Sequence, residues 1–161
     1  MPDASSPEPG PEAGPQALAT SVLTRYLRLC DVPAPAPWDE VRARLAEVFT
    51  EDAVWTGAGT DYAARYGVHR GRAAILAMLA RHLPPSPHFA ANVHLLFPAD
   101  SCTADADSAH GVWLMQQLSR YADGTAEMRV ARLTVAFRLG TGTARIQEFR
   151  TERLFTAALP A

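Results

Sequence analysis

Apolar residues change their spacing at Pro87, and this change limits the folds that are open to the chain. Before it, apolar side chains recur every three or four residues, as in the amphipathic stretch from Gln16 to about Asp31. After it they recur every second residue, which predicts strands at 88–97, 109–121, 127–139 and 144–155, separated by turn signals. Helices followed by strands indicate an α+β domain with one curved antiparallel sheet.

Three helices are predicted in the first half of the chain. The first ends before VPAPAP, the second carries Val41, Leu45 and Val48, and the third covers GRAAILAMLARHL. A short strand over AVWTGAG and a helical turn over TDYAARYG lie between the second and the third. The sequence therefore predicts a cone-shaped antiparallel sheet wrapped around three helices, with a cavity that suits a small organic ligand.

Composition sets the domain organisation and excludes several function classes. Residues 1–15 have almost nothing to bury and are expected to form a disordered tail, and 16–161 is long enough for one domain. All 15 basic residues are arginines and 17 acids balance them, for a net charge of -2, so we expect no nucleic-acid partner. The lack of lysine excludes Schiff-base, pyridoxal phosphate and P-loop chemistry.

Other features of the composition concern location and sulfur chemistry. No apolar run approaches the ~20 residues of a membrane span, and the N-terminus does not read as a secretory signal. We therefore expect a cytoplasmic protein with no membrane partner. Cys30 and Cys102 fit neither a disulfide framework nor a thiolate metal site, which predicts two small buried side chains.

The first long strand carries two histidines on one face. Two-residue alternation places His88, Asn92 and His94 together, while the opposite face is purely apolar. The polar face either meets water or lines a site, and the sequence leaves both open. His110 begins the next strand, where hairpin pairing is expected to bring it near His88 and His94. Two such imidazoles could act as general acid and general base.

The three histidines could instead hold a metal, but their spacing does not demand it, and we expect no metal. Tyr26 and Asp31 lie at the end of the first helix. Tyr26 could donate a hydrogen bond to an oxygen that gains negative charge, and Asp31 could orient a histidine or an arginine. The alternative is that Tyr26 is plain core and Asp31 a polar helix end.

Further residues are candidates for the walls of a substrate pocket. The last strand offers three arginines, at 145, 150 and 153, although arginine alternating with glutamate is typical of a solvated face. Aromatic side chains could line a pocket for a flat ligand, but they are more often core. The substrate-binding candidates are Trp55, Tyr62, Tyr66, Met78, Asn92 and Arg150.

Over about residues 17–155 the order of segments resembles the SnoaL-like branch of the nuclear transport factor 2-like superfamily, whose members are α+β cones. The resemblance rests on RYLRLCD, WDEVRARLAEVFTEDAVWTG, HRGRAAILAML, HFAANVH, DADSAHGVW, YADGT and ARIQEFR. Within that branch the sequence looks most like scytalone and bile-acid dehydratases, polyketide cyclases and steroid isomerases. Their reactions remove a proton beside a carbonyl and need no cofactor.

The resemblance also implies roles for particular residues. It matches His88 to the histidine at the start of the strand, His110 to a second polar residue early in the next strand, and Tyr26 and Asp31 to the first-helix pair. The enzyme hypothesis takes His88 as base and His110 as its partner acid, and the sequence alone leaves the assignment of the two roles open. A last-strand arginine falls nearest Arg150. VPAPAP departs from the family pattern and could displace the side chain before it.

The function implied is a cofactor-free dehydratase, isomerase or cyclase that acts on a polyketide-like or polycyclic metabolite of secondary metabolism. Residues 130–139 contain no carboxylate that could serve as an isomerase-type base, which favours histidine-based elimination or cyclisation. The alternative is a noncatalytic binding or dimerisation module of the same fold. Under either reading we expect a homodimer through the outer sheet face, with Trp113 and Met115 as contacts if they project outward.

Overall fold

The computed structural model describes residues 14–83 and 89–160. Its helices are α1 (Pro15–Leu29), α2 (Trp38–Val48), α3 (Gly59–Arg65) and α4 (Arg72–His82). Its strands are β1 (Phe49–Ala58), β2 (Val68–Arg70), β3 (Phe89–Leu96), β4 (Ser101–Ala104), β5 (Ser108–Tyr121), β6 (Ala126–Gly140) and β7 (Thr143–Leu159). The tail expected over 1–15 falls mainly outside the described residues and stays a prediction, except that α1 already begins at Pro15.

Local chemistry explains where the helices begin and end. Pro15 occupies the first turn of α1, where its missing N–H is not needed and its fixed φ suits the helix. Asp39 and Glu40 lie in the first turn of α2, where the helix dipole favours negative charge. Gly71 precedes α4 with a φ of 86°, a conformation open to glycine at little cost.

The strands form one curved, unclosed sheet of seven strands in the order β2-β1-β7-β6-β5-β3, with β4 pairing to β5. The helices-then-strands order and the cone architecture are confirmed. The all-antiparallel sheet is wrong, because β1 runs parallel to β7 while the other pairs are antiparallel. β1 lies between α2 and α3 along the chain, and helices and β2 separate it from the later strands, so it can pair with β7 in either direction. The alternation of apolar residues does not report which direction it takes.

Three short elements differ from expectation within the described ranges. The segment TDYAARYG forms α3, which makes four helices among the described residues instead of three. Residues 101–104, expected to form a turn, pair with β5 as β4, and 68–70 pair with β1 as β2. Strands of three or four residues are too short to show a two-residue period, so their pairing depends on neighbours that are distant along the chain.

The core lies between the helices and the inner face of the sheet. Its largest fully buried side chains are those of Trp113, Phe49, Phe137, Leu23 and Leu45. Trp113 and Met115 both point inward and are almost fully buried, so the expectation that they form an outward dimer contact is wrong. Among the described helices, none is both long and apolar enough to cross a bilayer.

Candidate functional site

A cavity of about 120 Å³ opens between α1, α3, α4 and the inner face of the sheet. A single water needs only ~10–15 Å³ by the same measure, so this hollow is much larger than a packing defect. Five of the six substrate-binding candidates line it, namely Trp55, Tyr62, Tyr66, Met78 and Asn92. Polar groups are added to the aromatic and aliphatic wall by His94, Gln117, Arg129 and Thr151, and also by Arg65 and His82.

His94 and Asp31 form a partly buried pair at this wall. His94 Nδ1 lies 2.8 Å from Asp31 Oδ1, and the backbone N–H of His94 donates to the same oxygen at 3.0 Å. The His94 side chain is 9% exposed and that of Asp31 25%. Because an ionised carboxylate only accepts hydrogen bonds, Nδ1 must carry the proton and Nε2 is left as the acceptor of the neutral ring. The ring lines the cavity, so this arrangement suits a general base.

The chain brings Asp31 to His94 by docking the end of α1 against β3. The helix ends at Leu29, and two backbone hydrogen bonds then join Val32 to Asn92, at 2.7 and 2.9 Å. Asn92 is two residues before His94 on the same face of β3, so the bridge holds Asp31 beside the imidazole. VPAPAP therefore does not displace the Asp31 side chain from the site.

Asn92 is itself held by a small polar network. Its Oδ1 accepts hydrogen bonds from Gln117 Nε2 at 2.8 Å and from Ser119 Oγ at 3.0 Å. Asn92 and Ser119 are each 3% exposed. A buried polar group that is fully hydrogen-bonded has one favoured position, so this network also fixes the strand that carries His94.

Tyr26 lines the cavity and is 3% exposed. Its hydroxyl oxygen accepts a hydrogen bond from Trp55 Nε1 at 3.1 Å, and the Cys30 thiol is a second neighbour. Burial, with a smaller effect from Cys30, raises the pKa of Tyr26 well above its usual value. The phenol therefore keeps its proton at neutral pH and is able to donate it in a hydrogen bond.

Arg129 occupies the inner face of β6, where it is 8% exposed. Its Nη2 atom contacts Glu127 Oε1 at 2.5 Å and donates to the Tyr121 hydroxyl at 3.1 Å. Its buried Nε has no hydrogen-bond partner among the residues that the structure describes. Arg129 thus lines the cavity as a guanidinium held by Glu127 and Tyr121, with its Nε atom buried away from the open space.

His82 adds a second imidazole to the rim of the cavity, at the end of α4. Its ring packs edge-on against Tyr66 with the centroids 5.0 Å apart. Burial, together with the nearby charges of Arg65 and Arg81, lowers the pKa of His82. His82 is therefore neutral at pH 7, as His94 must be if it is to act as a base.

Two predicted site residues, His110 and Arg150, do not line this cavity. His110 is exposed on the outer face of the sheet, where β4 pairs with the start of β5. Arg150 is exposed on that same face. His110 differs from the expectation because the strand partner of β3 is the far end of β5, 115–121, and His110 lies at its other end. Arg150 differs because it is an exposed position of β7 between the buried Phe149 and Thr151. His88 lies outside the described residues, and its role stays a prediction.

The cavity offers no obvious place for a metal ion. Within 14–83 and 89–160, no three histidine, cysteine, aspartate or glutamate side chains are grouped closely enough to hold one. The polar groups at the cavity wall are two imidazoles, one of them paired with a carboxylate, two guanidiniums, a thiol, amides and hydroxyls. These groups suit proton transfer and the binding of an oxygen atom.

Residues 19–150 match the family model of the SnoaL-like domain, which is most of the chain. The chain belongs to the SnoaL-like family. No curated protein matches the sequence. The resemblance to SnoaL-like proteins is therefore confirmed at the level of the family.

Solved structures share the fold of this SnoaL-like chain at low sequence identity. The hexachlorocyclohexane dehydrochlorinase LinA type 3 of Novosphingobium barchaimii LL02 superposes with a TM-score of 0.69 at 16% identity, over 91% of this chain and 90% of that one. ActVI-ORFA of Streptomyces coelicolor gives 0.63 at 15%, over 86% and 96%. An NTF2-like protein of Novosphingobium aromaticivorans gives 0.63 at 22%, over 85% and 80%. At sequence identities of 15–22%, this structural similarity establishes a shared fold and nothing more.

Two residues of the SnoaL-like cavity were not singled out for a role in the sequence, although each left a signal. The sequence predicts that His94 shares a strand face with His88 and Asn92, but it predicts His88 and His110 as the two residues that transfer protons. Arg129 is followed by Ala131 and Leu133 on a strand face that is otherwise apolar and buried. A lone arginine in an alternating apolar face indicates a charge turned toward the interior, and therefore a candidate site residue.

Proposed function

We propose that this SnoaL-like domain is a cofactor-free acid/base enzyme in which His94, oriented by Asp31, removes a proton from carbon. The pair of side chains is the observation that carries the proposal. A carboxylate that accepts from Nδ1 favours the tautomer with a basic Nε2, and it stabilises the imidazolium once the proton has moved. A wall that only excluded water from the cavity would not need a histidine oriented by a carboxylate.

The rest of the cavity supports a carbon acid as substrate. Electrons left on carbon when a proton departs need an acceptor, and a carbonyl conjugated to that carbon supplies one as an enolate. Tyr26 keeps its proton and is a candidate donor to such an oxygen, as the sequence suggests. The aromatic wall of Trp55, Tyr62 and Tyr66 suits a flat or polycyclic molecule. Elimination, isomerisation and cyclisation all begin with this step.

Exchange of carbon-bound hydrogen in D2O tests the proposal without knowledge of the natural substrate. 2-Tetralone, a small bicyclic ketone, is the probe, and NMR follows the loss of its α-proton signals. The wild-type protein should accelerate exchange over His94→Ala by about 10²- to 10⁴-fold, the usual contribution of a general base. His110→Ala is the matched control, because His110 is an exposed histidine on the other face of the sheet.

Two outcomes would contradict the proposal. Equal exchange by wild type and His94→Ala, with both proteins folded, would remove His94 from the chemistry. Tight binding of 2-tetralone without exchange above that of buffer would favour the alternative, a noncatalytic small-molecule-binding module of the same fold. The membership of the family is compatible with either result, so the experiment decides between them.

A further inference from the structure

The cavity opens to water where two helices end and a strand begins. Arg65, the last residue of α3, is the one exposed residue in the described cavity wall. His82, the last residue of α4, and Phe89, the first of β3, are half-buried members of the same wall. Arg65, His82 and Phe89 therefore define the mouth of the cavity, through which a ligand would enter.

The mouth carries a positive charge that the protein does not balance with a nearby acid. Arg65 forms no ion pair with any acid that the structure describes, whereas Arg129 is paired with Glu127. The Arg65 guanidinium lies 5.4 Å from the centre of the Tyr66 ring, which is also part of the wall. This cation–π contact positions the charge, and water or a ligand oxygen must then accept hydrogen bonds from its N–H groups.

His82 lies in the field of this charge. Burial is the main cause that lowers the pKa of His82, and the charges that add to the effect, those of Arg65, Arg81 and His69, are all positive. The ring of His82 packs edge-on against the other side chain at the mouth that Arg65 touches, Tyr66, at 5.0 Å between centroids. Arg65 and His82 therefore form one cluster of donors around Tyr66.

The field of Arg65 also reaches the sheet on the opposite side of the mouth. Burial and a hydrogen bond to Glu127 raise the pKa of Tyr121, and the positive charge of Arg65 acts against them. Tyr121 stacks on Phe89 with the ring centroids 5.2 Å apart. A negatively charged group that entered the mouth would thus meet a positive potential from α3 to β5.

The two helix ends limit how much negative charge the mouth accepts. Both α3 and α4 end there, and the carboxyl end of a helix carries a partial negative charge. Arg65 and Arg81, each in the last turn of its helix, offset part of that charge. A phosphate monoester is a dianion and favours the amino ends of helices instead. The mouth therefore suits a single negative charge, such as that of a carboxylate.

We infer that the mouth is an anion subsite in which Arg65 and His82 bind a carboxylate, so that the substrate is an aromatic or polycyclic carboxylic acid. The inference rests on the proposed function and adds the substrate class. The flat body of the molecule lies against the aromatic wall, and the carboxylate stays at the mouth without taking part in proton transfer. By anchoring one end of the substrate, it fixes how the rest lies against His94.

Two flat probes of the same shape test the subsite separately from turnover. 2-Naphthoate carries a carboxylate and 2-naphthamide a neutral amide, and neither has an acidic C–H bond beside its carbonyl. In about 0.01 M salt the wild-type protein should bind 2-naphthoate about 5- to 30-fold more tightly, by isothermal titration calorimetry. In about 1 M salt the two affinities should come within about twofold, because exposed charges are then screened.

NMR titration of the His82 ring protons locates the bound carboxylate. An anion close to an imidazole favours the protonated ring. Saturating 2-naphthoate should therefore raise the pKa of His82 back toward its ordinary value of 6.5, and 2-naphthamide should not. The comparison of the two probes cancels any effect of the naphthalene ring itself.

Four variants separate a direct contact from the general charge of the protein. Arg65→Gln should lose the preference for 2-naphthoate, and Arg65→Lys, which keeps a positive charge, should retain part of it. Arg81→Gln is the matched control, because Arg81 is also exposed in the last turn of a helix but does not line the cavity. It should keep the preference. His94→Ala should keep it as well, so that loss of exchange and loss of anion preference are independent results.

Several outcomes would overturn the inference. Equal binding of the two probes by the wild type in low salt, or no binding of either, would do so. A loss in Arg81→Gln as large as that in Arg65→Gln would assign the preference to the overall charge. A pKa of His82 that 2-naphthoate does not move would place the carboxylate elsewhere. Tighter binding of 2-naphthyl phosphate than of 2-naphthoate, dependent on Arg65, would overturn the carboxylate in favour of a phosphate.

Discussion

At the scale of single residues, the site depends on one oxygen of Asp31 that accepts two hydrogen bonds from the same histidine. Oδ1 takes the backbone N–H and the Nδ1–H of His94. The carboxylate therefore sets both the position of the strand and the tautomer of the ring. In the proposed reaction it positions and polarises His94, and it does not line the cavity itself.

Asp31→Asn should reduce exchange of 2-tetralone by about 10²- to 10⁴-fold with little change in KM, because an amide no longer stabilises the imidazolium and permits the wrong tautomer. The double variant Asp31→Asn/His94→Ala should be no slower than His94→Ala alone, since the two side chains act as one unit. Steady-state kinetics by NMR measures both. Additive losses would show that Asp31 acts elsewhere.

Cys30 provides a prediction on pH and stability. Burial raises the pKa of the Cys30 thiol to about 12 from an ordinary value of 9.0. Above pH 9 the unfolded chain ionises this thiol and the folded one does not, so the unfolded state binds fewer protons and stability falls as pH rises. Between pH 8 and pH 10 this effect should remove about 1 kcal/mol from the free energy of unfolding.

Urea denaturation at the two pH values measures the effect in wild type and in Cys30→Ala. The variant should lose about 1 kcal/mol less than wild type over this interval. Cys102→Ala is the control, and because Cys102 is only half-buried its removal should change the pH dependence less. An identical pH dependence in wild type and Cys30→Ala would contradict the burial of the thiol.

At the scale of elements, the pairing of β3 brings the site together. A register shift between Phe89 and Ala91 lets Phe89 and Asn92 both line the cavity, although strict alternation would place them on opposite faces. A bulge of this kind turns a side chain to the other face. The apolar face of β3 is then the outer one, with Val93, Leu95 and Phe97 each at least 40% exposed.

A substitution at Gly111 tests whether β4 packs against β5 as the structure shows. A Cβ at this position would collide with the ring of Trp113 and come within 2.8 Å of the Ser101 carbonyl oxygen. Gly111→Ala should therefore lower the free energy of unfolding by about 1–3 kcal/mol, as overpacking does. Urea denaturation measures the change. Gly14→Ala, where a Cβ meets nothing within 4 Å, is the control, and equal stabilities of the two variants would contradict the pairing described.

At the scale of the whole molecule, the sheet separates two surfaces with different roles. The inner face carries the cavity, Arg129 and His94, and the outer face carries His110 and Arg150. The homodimer expected from the sequence stays a prediction. Its suggested contacts do not hold, since the side chains of Trp113 and Met115 lie inside.

This separation predicts that His110→Ala and Arg150→Ala retain exchange activity within about twofold of wild type, as exposed substitutions away from a site usually do. Thermal unfolding should show both variants folded. A loss of exchange in His110→Ala as large as that in His94→Ala would mean that the outer face contributes to turnover. The position of His110 in the structure would then not be its position in the working protein.

The sequence by itself determined the elements and the family. Residue spacing reports which local conformation buries apolar side chains, so the long helices, the long strands and the cone were predictable, and so were five of the wall residues. Which strand ends meet depends on pairing between residues that are distant along the chain, such as Val54 with Glu148 and His94 with Gln117, and spacing does not encode it. Only the tertiary structure decided that β3 turns its polar face inward, that His94 instead of His110 meets the cavity, and that Asp31 reaches it past VPAPAP. The reason is that a strand presents two faces, and the packing of the whole molecule selects which one is buried.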